Sequence, residues 1–357
     1  MSKNIIVGIF GGGQLGMMLC EAAKKIKVRT HIFCPDTNAP AQFHSDFFTN
    51  ADYMNEDDVL QFEKSVDFIT YEFENIPLET INSLTNKSKI RPGKLSLEKS
   101  QDRLLEKRFL DNLNIKIAPY VQVTSPEDIS RAQDKFGESI LKTRTLGYDG
   151  KGQIKIKKTI DPIFYFKEVK SKSIIEKKID FEFEVSQVIA RDSYGNIAIY
   201  PIVRNIHENH ILKHTFAPAA LEKDLATKVQ EISRVIIKEL NHVGVLSIEF
   251  FVTKDDVLVN EIAPRVHNSG HWTIEGCSIS QFEQHLRCVI DEEVQDPSFL
   301  FDAHMINIIG DEIEAWINKS EESNEFVHLY KKKNIKDGRK MGHVTYIYEK
   351  DKLPKNL

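Results

Sequence analysis

Along the first ninety residues, apolar positions come in short runs separated by amphipathic stretches. Ile5 to Phe10, Thr30 to Phe33, Phe47 to Thr49 and Phe68 to Tyr71 are runs of strand length, while Leu15 to Lys25 and Glu56 to Lys64 carry apolar residues at helical spacing. Strands alternating with helices predict a doubly wound α/β unit. The alternation gives way at "KIRPGKLSLEKSQDRLLEKRFLDNLNI", which reads as a linker followed by a helix from about Ser100, so the first boundary is expected near residue 95. From Ile140 to about Ile290 the pattern becomes hairpins broken by one long helix, Leu221 to Leu240, which predicts an α+β domain. Strands near Met305 to Ile309, Phe326 to Tyr330 and Gly342 to Tyr348 predict a further small β-rich unit. The expectation is a multidomain α/β and α+β chain divided as 1–95, 96–295 and 296–357, with a Rossmann-like first domain.

Length supports that division, because 357 residues exceed what a single core usually serves, about 250 to 300. Apolar residues make up 41%, charged residues 28%, and the net charge is −5, so no basic nucleic-acid surface is expected. Cys20, Cys34, Cys277 and Cys288 show neither C-x-x-C spacing nor the density of a disulfide scaffold. Ile5 to Phe10 is too short for a signal-peptide core, and no segment approaches a membrane span. A cytoplasmic protein of small-molecule chemistry is expected.

The first candidate site is "IFGGGQLGMM", where Gly11, Gly13 and Gly16 fit G-x-G-x-x-G between a strand and a helix. Backbone N–H groups and the positive end of the helix dipole would meet a phosphate there. Asp36, twenty residues past Gly16, lies where a dinucleotide fold places its ribose-binding acid, so read alone the segment predicts an NAD-dependent oxidoreductase. A tight turn with close helix packing explains the same glycines, and the two prolines of "CPDTNAP" crowd the site.

A second cluster, "SILKTRTLGYDGKGQIKI", places Gly147, Gly150, Gly152 and Lys151 at the tip of a hairpin whose first strand ends in Lys142. Glycine permits close approach to phosphate oxygens, and the lysines supply compact charge. A solvated turn is the alternative, and the absence of G-K-[ST] excludes a Walker loop. A third feature, "VLSIEFFVTKDDVLVNEIAPR", reads as two strands joined by a turn at about Thr253 to Asp256. In one register Glu249 faces Glu261, and in a register slipped by one it faces Asn260. Facing carboxylates would be compensated by a divalent cation, unless one glutamate faces solvent, and the apolar runs around both favour the cation.

Together these parts resemble the ATP-grasp enzymes, and among them the 5-(carboxyamino)imidazole ribonucleotide synthases of purine synthesis. The resemblance rests on "GGGQLGMM", "TYEFENIP", "QDRLLEK", "GYDGKGQ", "VNEIAPRVHNSGHWTIEGCSISQFEQHLR" and "DGRKMGH", which span residues 11 to 343. It implies that 96–295 is a two-lobed ATP-grasp domain and that 296–357 completes the substrate site. It implies ATP contacts at Arg103, Lys142, Gly147, Tyr148, Asp149, Gly150, Lys151, Gly152 and Gln153. Further along the chain they continue at Glu176, Lys177, Lys178, Ile179, Glu184, His207, Asn260 and Glu261. Glu249 and Glu261 become ligands of Mg²⁺, with Mn²⁺ as a substitute.

The same resemblance implies ATP- and bicarbonate-dependent carboxylation of the amine of 5-aminoimidazole ribonucleotide through carboxyphosphate. Arg265 would bind bicarbonate, and Asp149 would orient the attacking amine or take its proton. The ribonucleotide would meet Gly13, Gln14, Tyr148, Asn268, Ser269, Lys332, Arg339 and Lys340. Leu146 departs from the family, which commonly carries glycine there. His267 and His271 stand i and i+4, but Pro264, Asn268, Ser269 and Gly270 predict a loop in place of a metal-binding helix. A homodimer is also implied, and its product would pass to a mutase by contact or by diffusion. Another ATP-grasp ligase or transferase is the alternative activity.

Overall fold

The computed structural model describes residues 4–147, 150–157, 159–168, 171–319 and 322–354. Four parallel strands open the chain, in the spatial order Phe47–Thr49, Arg29–Phe33, Ile6–Phe10 and Phe68–Tyr71. Val7 to Phe10 are buried, as befits a parallel strand covered on both faces. The helix Gln14–Lys25 follows at once, and Gly11 makes the tight entry with φ +106°, where a Cβ would stand 2.3 Å from Cγ of Glu72.

The linker holds two helices, Lys94–Gln101 and Arg103–Asn112, where one beginning near Ser100 was expected. Asp102 causes the break. Its carboxylate accepts the N–H groups of Leu104 and Leu105, capping the second helix, and a capping side chain of this kind competes with continuous helix.

Two antiparallel sheets build the middle of the molecule. The smaller runs Tyr120–Val123, Ser173–Lys177, Ser139–Thr143, Gln153–Ile156. The helices Pro126–Phe136 and Pro162–Glu168 lie against it. Among the described residues the larger sheet has nine strands. Val257–Ala263 is its edge, followed by Gly244–Val252, Phe183–Arg191, Val203–Glu208 and Ile211–Ala217. The expected long helix spans Lys223–Glu239 and buries Leu225, Val229, Ile236 and Ile237 against this sheet. Periodicity did not single out Pro126–Phe136 or Gln281–Val289. Their caps were readable: Ser125 and Asp128 form a capping box around Pro126, and Ser280 accepts the N–H of Glu283.

The last strands do not form a sheet of their own. Asp302–Ile309 pairs with Ile211–Ala217, and Lys340–Tyr348 and Glu325–Leu329 add beyond it, so the nine-stranded sheet runs into the C-terminal segment. A mixed apolar cluster containing Met17, Phe282 and Leu286 joins the first domain to this sheet. His285 adds a polar weld: its Nδ1 accepts the N–H of Val245 at 3.0 Å, and its Nε2 lies 2.8 Å from Oγ1 of Thr70. Among the described residues no helix is long and apolar enough to cross a membrane.

Candidate active site

The two antiparallel sheets and the first domain enclose a cavity of about 840 Å³. The smaller sheet contributes Lys142, Gln153 and Glu176, followed by Lys177, Lys178 and Ile179 as the chain leaves its strand. Glu184, His207, Glu249, Asn260 and Glu261 line the opposite wall, and the hairpin residues Gly147 and Gly150 lie along the rim. Gln14, Arg265 and Asn268 border the end nearest the first domain, and Arg103 reaches in from its helix. Residues from about 100 to 270 in sequence thus converge on one space. Tyr148 and Asp149 lie outside the described residues.

Charges on the smaller sheet are paired in place. Lys142 donates to Oε2 of Glu176 at 2.6 Å, and Nζ of the wholly buried Lys107 lies 3.5 Å from Oε1. Burial alone would raise the pKa of Glu176, yet the charges of Lys107 and Lys142 overcome it and hold the group down at about 2. Glu176 is therefore a carboxylate, not the solvated edge charge that a strand reading of "IIEKKIDFEFEV" gives. Across the cavity Glu184 meets Nδ1 of His207 at 2.7 Å. Burial pulls the histidine pKa down, but the Glu184 hydrogen bond and the Glu249 charge raise it above its ordinary value.

The register of the large hairpin is the one that opposes Glu249 to Glu261. The ladder then slips, pairing Phe250 with Val259 and leaving Asn260 as the bulged residue. Burial, then the neighbouring Glu261 charge, pushes Glu249 up to about 8. Arg103 Nη1 lies 3.4 Å from Oε2 of Glu261, and Arg103 Nη2 is 3.4 Å from the carbonyl of Gly147, tying the glycine hairpin to the carboxylates. Among the described residues no three His, Cys, Asp or Glu side chains cluster as a complete metal cage. Two facing carboxylates fit a hard divalent cation that completes its shell with phosphate and water.

At the first-domain end the glycine loop departs from expectation. Gly13 N–H donates to Oε1 of Glu72 at 2.8 Å and Gly16 N–H to Oε2 at 3.1 Å. A carboxylate of the protein occupies the anion position at this helix N-terminus, so the Gly13 amide is not presented to a ligand phosphate, and Gly13 is not on the cavity wall. Gln14 is on it. Asp36 uses its side chain to close a local turn, accepting the N–H of Asn38. Two residues past Glu72, Glu74 pairs with Nε of Arg265, whose Nη1 donates to the carbonyl of Val266 at 3.2 Å. Burial opposes ionisation of Glu74, and the Arg265 charge overrides it, leaving its pKa lowered.

Several expected substrate contacts are turned inward. Ser269 is fully buried and its Oγ lies 2.9 Å from Nδ1 of His267. Asn268 exchanges amide hydrogen bonds with Asn307, at 2.9 and 2.5 Å. Lys332 donates to the carbonyl of Lys340 and Arg339 to that of Asn334, and neither these three residues nor Lys151 and Gly152 lie on the cavity wall. Lys340 still places its charge near Glu249 and His267. The stretch from Pro264 to His271 is a loop with a 3-10 turn at Asn268–Gly270, as its composition predicted. Leu146 takes φ +61°, the left-handed conformation that glycine adopts without cost, and its side chain is 70% exposed at the cavity mouth.

Glu72, Glu74, Glu106 and Lys107 were not singled out as site residues. "YEFEN" carried the available signal for the first two, as two glutamates among apolar residues directly after a strand of the first sheet.

A glycine-tipped hairpin, paired carboxylates on an antiparallel ladder and a cleft between two antiparallel sheets define an ATP-grasp enzyme. Three domain families match in series: the ribonucleotide synthetase preATP-grasp domain over residues 4–101, the ATP-grasp domain over 108–282 and the phosphoribosylaminoimidazole carboxylase C-terminal domain over 303–353. The N5-carboxyaminoimidazole ribonucleotide synthase of Brucella melitensis is 41% identical, with 96% of each chain covered. A bifunctional purine synthesis protein of Dictyostelium discoideum is 39% identical, and there the chain spans 36% of the longer protein. The Staphylococcus aureus N5-carboxyaminoimidazole synthetase crystallised with ADP superposes with a TM-score of 0.92 at 35% identity, covering 98% of this chain and 94% of that one. The Aspergillus clavatus enzyme in complex with ADP and 5-aminoimidazole ribonucleotide gives a TM-score of 0.90 at 29% identity over 98% and 95%. The chain belongs to the N5-carboxyaminoimidazole ribonucleotide synthase family.

Proposed function

We propose that this protein carboxylates the amine of 5-aminoimidazole ribonucleotide, using ATP and bicarbonate and giving ADP, phosphate and N5-carboxyaminoimidazole ribonucleotide in purine synthesis. The observation that carries the reading is the pairing of Glu249 with Glu261 in one cavity with Lys142, Glu176, Glu184 and Arg265. ATP lies between the two antiparallel sheets in this reading. The strand end at Glu176 to Ile179 borders the adenine, Glu184 and His207 the ribose, and Lys142, Gln153 and the hairpin Gly147 to Gly152 the phosphates. Asn260 and Arg103 complete the contacts.

A bicarbonate oxygen attacks the γ-phosphorus, the bond to the β,γ-bridging oxygen breaks, and ADP leaves with carboxyphosphate formed. Glu249 and Glu261 would hold Mg²⁺, which supplies charge neutralisation at the phosphoryl oxygens. Arg265 is oriented by Glu74, and its planar fork suits bicarbonate and then the carboxyphosphate. The amine nitrogen then bonds to the carboxyl carbon, phosphate departs, and the nitrogen surrenders a proton, for which Asp149 is the acceptor in this reading. Carboxyphosphate hydrolyses readily, so closure of the glycine hairpin over the cleft would protect it. Gln14, Tyr148 and Asn268 are the ribonucleotide side of this scheme, and Arg339 and Lys340, off the cavity wall as they stand, would have to turn toward it, with Lys332 and Ser269 in internal supporting contacts.

The reading extends to a cytoplasmic homodimer that passes its product to a mutase. Four buried free thiols suit a reducing compartment. The deciding experiment is an ADP-release assay. Turnover that needs both bicarbonate and aminoimidazole ribonucleotide supports the assignment, and ATP hydrolysis indifferent to both refutes it.

A further inference from the structure

Glu106 and Lys107 are adjacent in the helix Arg103–Asn112, ionisable yet only 2% and 0% exposed, and no step above uses them. Both reach the edge strand Val257–Ala263 at its bulge. Lys107 Nζ donates to the carbonyl of Asn260 at 2.9 Å, and Glu106 Oε1 accepts the N–H of Ile262 at 2.6 Å. These contacts lie immediately before and immediately after Glu261. Arg103, on the same helix face at i, i+3 and i+4 spacing, approaches the Glu261 carboxylate itself.

The physical need is local. A bulge leaves backbone groups of its strand without ladder partners; on the outer side of this edge strand the carbonyl of Lys116 accepts the N–H of Val259 at 2.9 Å, but among the described residues no strand ladder continues alongside Asn260 to Ile262. Two ionisable side chains buried to satisfy two backbone groups are a costly choice where apolar packing alone would seal the helix onto the sheet, and burial pushes the Glu106 carboxyl up to about 7. They buy direction at one position, Glu261. Lys107 also lies 3.5 Å from Oε1 of Glu176, so the same grip continues into the pair that Glu176 makes with Lys142 on the opposite wall.

We infer that Glu106 and Lys107 are positioning residues, fixing the bulge so that Glu261 is held toward the phosphate end of the cavity. The inference rests on the functional reading above, because it requires Glu261 to act on bound nucleotide.

The test compares Glu106→Leu, Glu106→Gln and Lys107→Met in ADP release against ATP, Mg²⁺ and aminoimidazole ribonucleotide in turn, with calorimetric affinity for Mg²⁺–ADP and a melting temperature for each. Glu106→Leu and Lys107→Met should raise the half-saturating ATP and Mg²⁺ about tenfold or more and weaken Mg²⁺–ADP binding in parallel, as misplaced groups do. Half-saturation by the ribonucleotide should change little. Glu106→Gln keeps an acceptor for the Ile262 N–H and should recover most of the loss. If Lys107→Met does not fold, the two Glu106 variants carry the test. Folded Glu106→Leu with unaltered ATP, Mg²⁺ and Mg²⁺–ADP responses overturns the inference, as does an equal loss in the Gln variant. Failure of the functional reading shows first and separately, in wild-type protein whose ADP release ignores bicarbonate and ribonucleotide.

Discussion

Glu249 and Glu261 stand directly opposite each other on neighbouring antiparallel strands, and the ladder slips by one residue immediately beyond them. Like charges so placed destabilise the fold unless a proton or cation intervenes, which makes the pair a site whose stability and function pull in opposite directions.

Replacing one of them separates the two effects. Glu249 holds its proton up to about pH 8, so Glu249→Gln should stabilise the metal-free protein by roughly 0.2–1 kcal/mol only above that pH, where the charges face each other, while ADP release falls about a hundredfold or more. Melting temperatures in a chelator above that pH, set beside initial rates in Mg²⁺, check both halves. A variant less stable than wild type in chelator would mean that the facing charges are not repelling.

Arg265 is bound to Glu74, so its removal has two consequences. Arg265→Ala should abolish ADP release while ATP still binds, and it leaves Glu74 partly buried without its partner, a loss of about 3 kcal/mol or less at this incompletely buried site. The double variant Arg265→Ala/Glu74→Gln should regain stability and remain inactive. Near-normal ADP release in either variant would remove Arg265 from the bicarbonate site.

The left-handed φ of Leu146 places a side chain where glycine is free of strain. Leu146→Gly should therefore stabilise the hairpin region by about 1 kcal/mol where strain relief exceeds the added chain entropy, and Leu146→Val should be less stable than wild type. Thermal melts of the two variants decide it. Equal stability of the valine variant and wild type would show that the backbone is not held there in solution.

Two of the several buried histidines whose pKa is lowered show how acid should destabilise the fold. Burial holds His242 and His285 down at about 3, with the Val245 carbonyl hydrogen bond opposing the shift at His242. Unfolded histidine titrates near 6.5, so between these values the unfolded chain binds more protons and stability rises with pH. The protein should lose stability steadily as pH falls from about 6.5 toward 3. His285→Gln, which can still accept from Val245 and donate to Thr70, should flatten the pH dependence of the melting temperature. An unchanged slope would place the acid lability elsewhere.

Much of this architecture was legible in the chain. The first four strands and two helices were readable because a parallel sheet buries both faces and leaves continuous apolar runs. The Glu249/Glu261 hairpin was readable as one of two registers, since strand periodicity cannot separate registers one residue apart without knowing which face is covered. The two helices of the linker were obscured because Asp102 acts as a cap, a role that depends on which N–H groups turn toward it. Glu106 and Lys107 fall in "QDRLLEK", one of the segments that carries the family resemblance, but nothing in it pointed to a site role: they read as an ordinary charged helix face until the edge strand is laid against them.

The glycine loop marks the division most clearly. By itself the sequence determined a strand, a turn that only glycine can make at Gly11, and a helix with its amides exposed to an anion, because those follow from local sterics and the helix dipole. It also determined the family, through motifs distributed along most of the chain. Which anion meets the loop was decided only in three dimensions. Glu72 lies fifty-nine residues from Gly13, and the pairing of Phe68–Tyr71 beside Ile6–Phe10 brings its carboxylate to the loop. Local chemistry sets what a segment can bind, while the long-range fold sets which partner reaches it first.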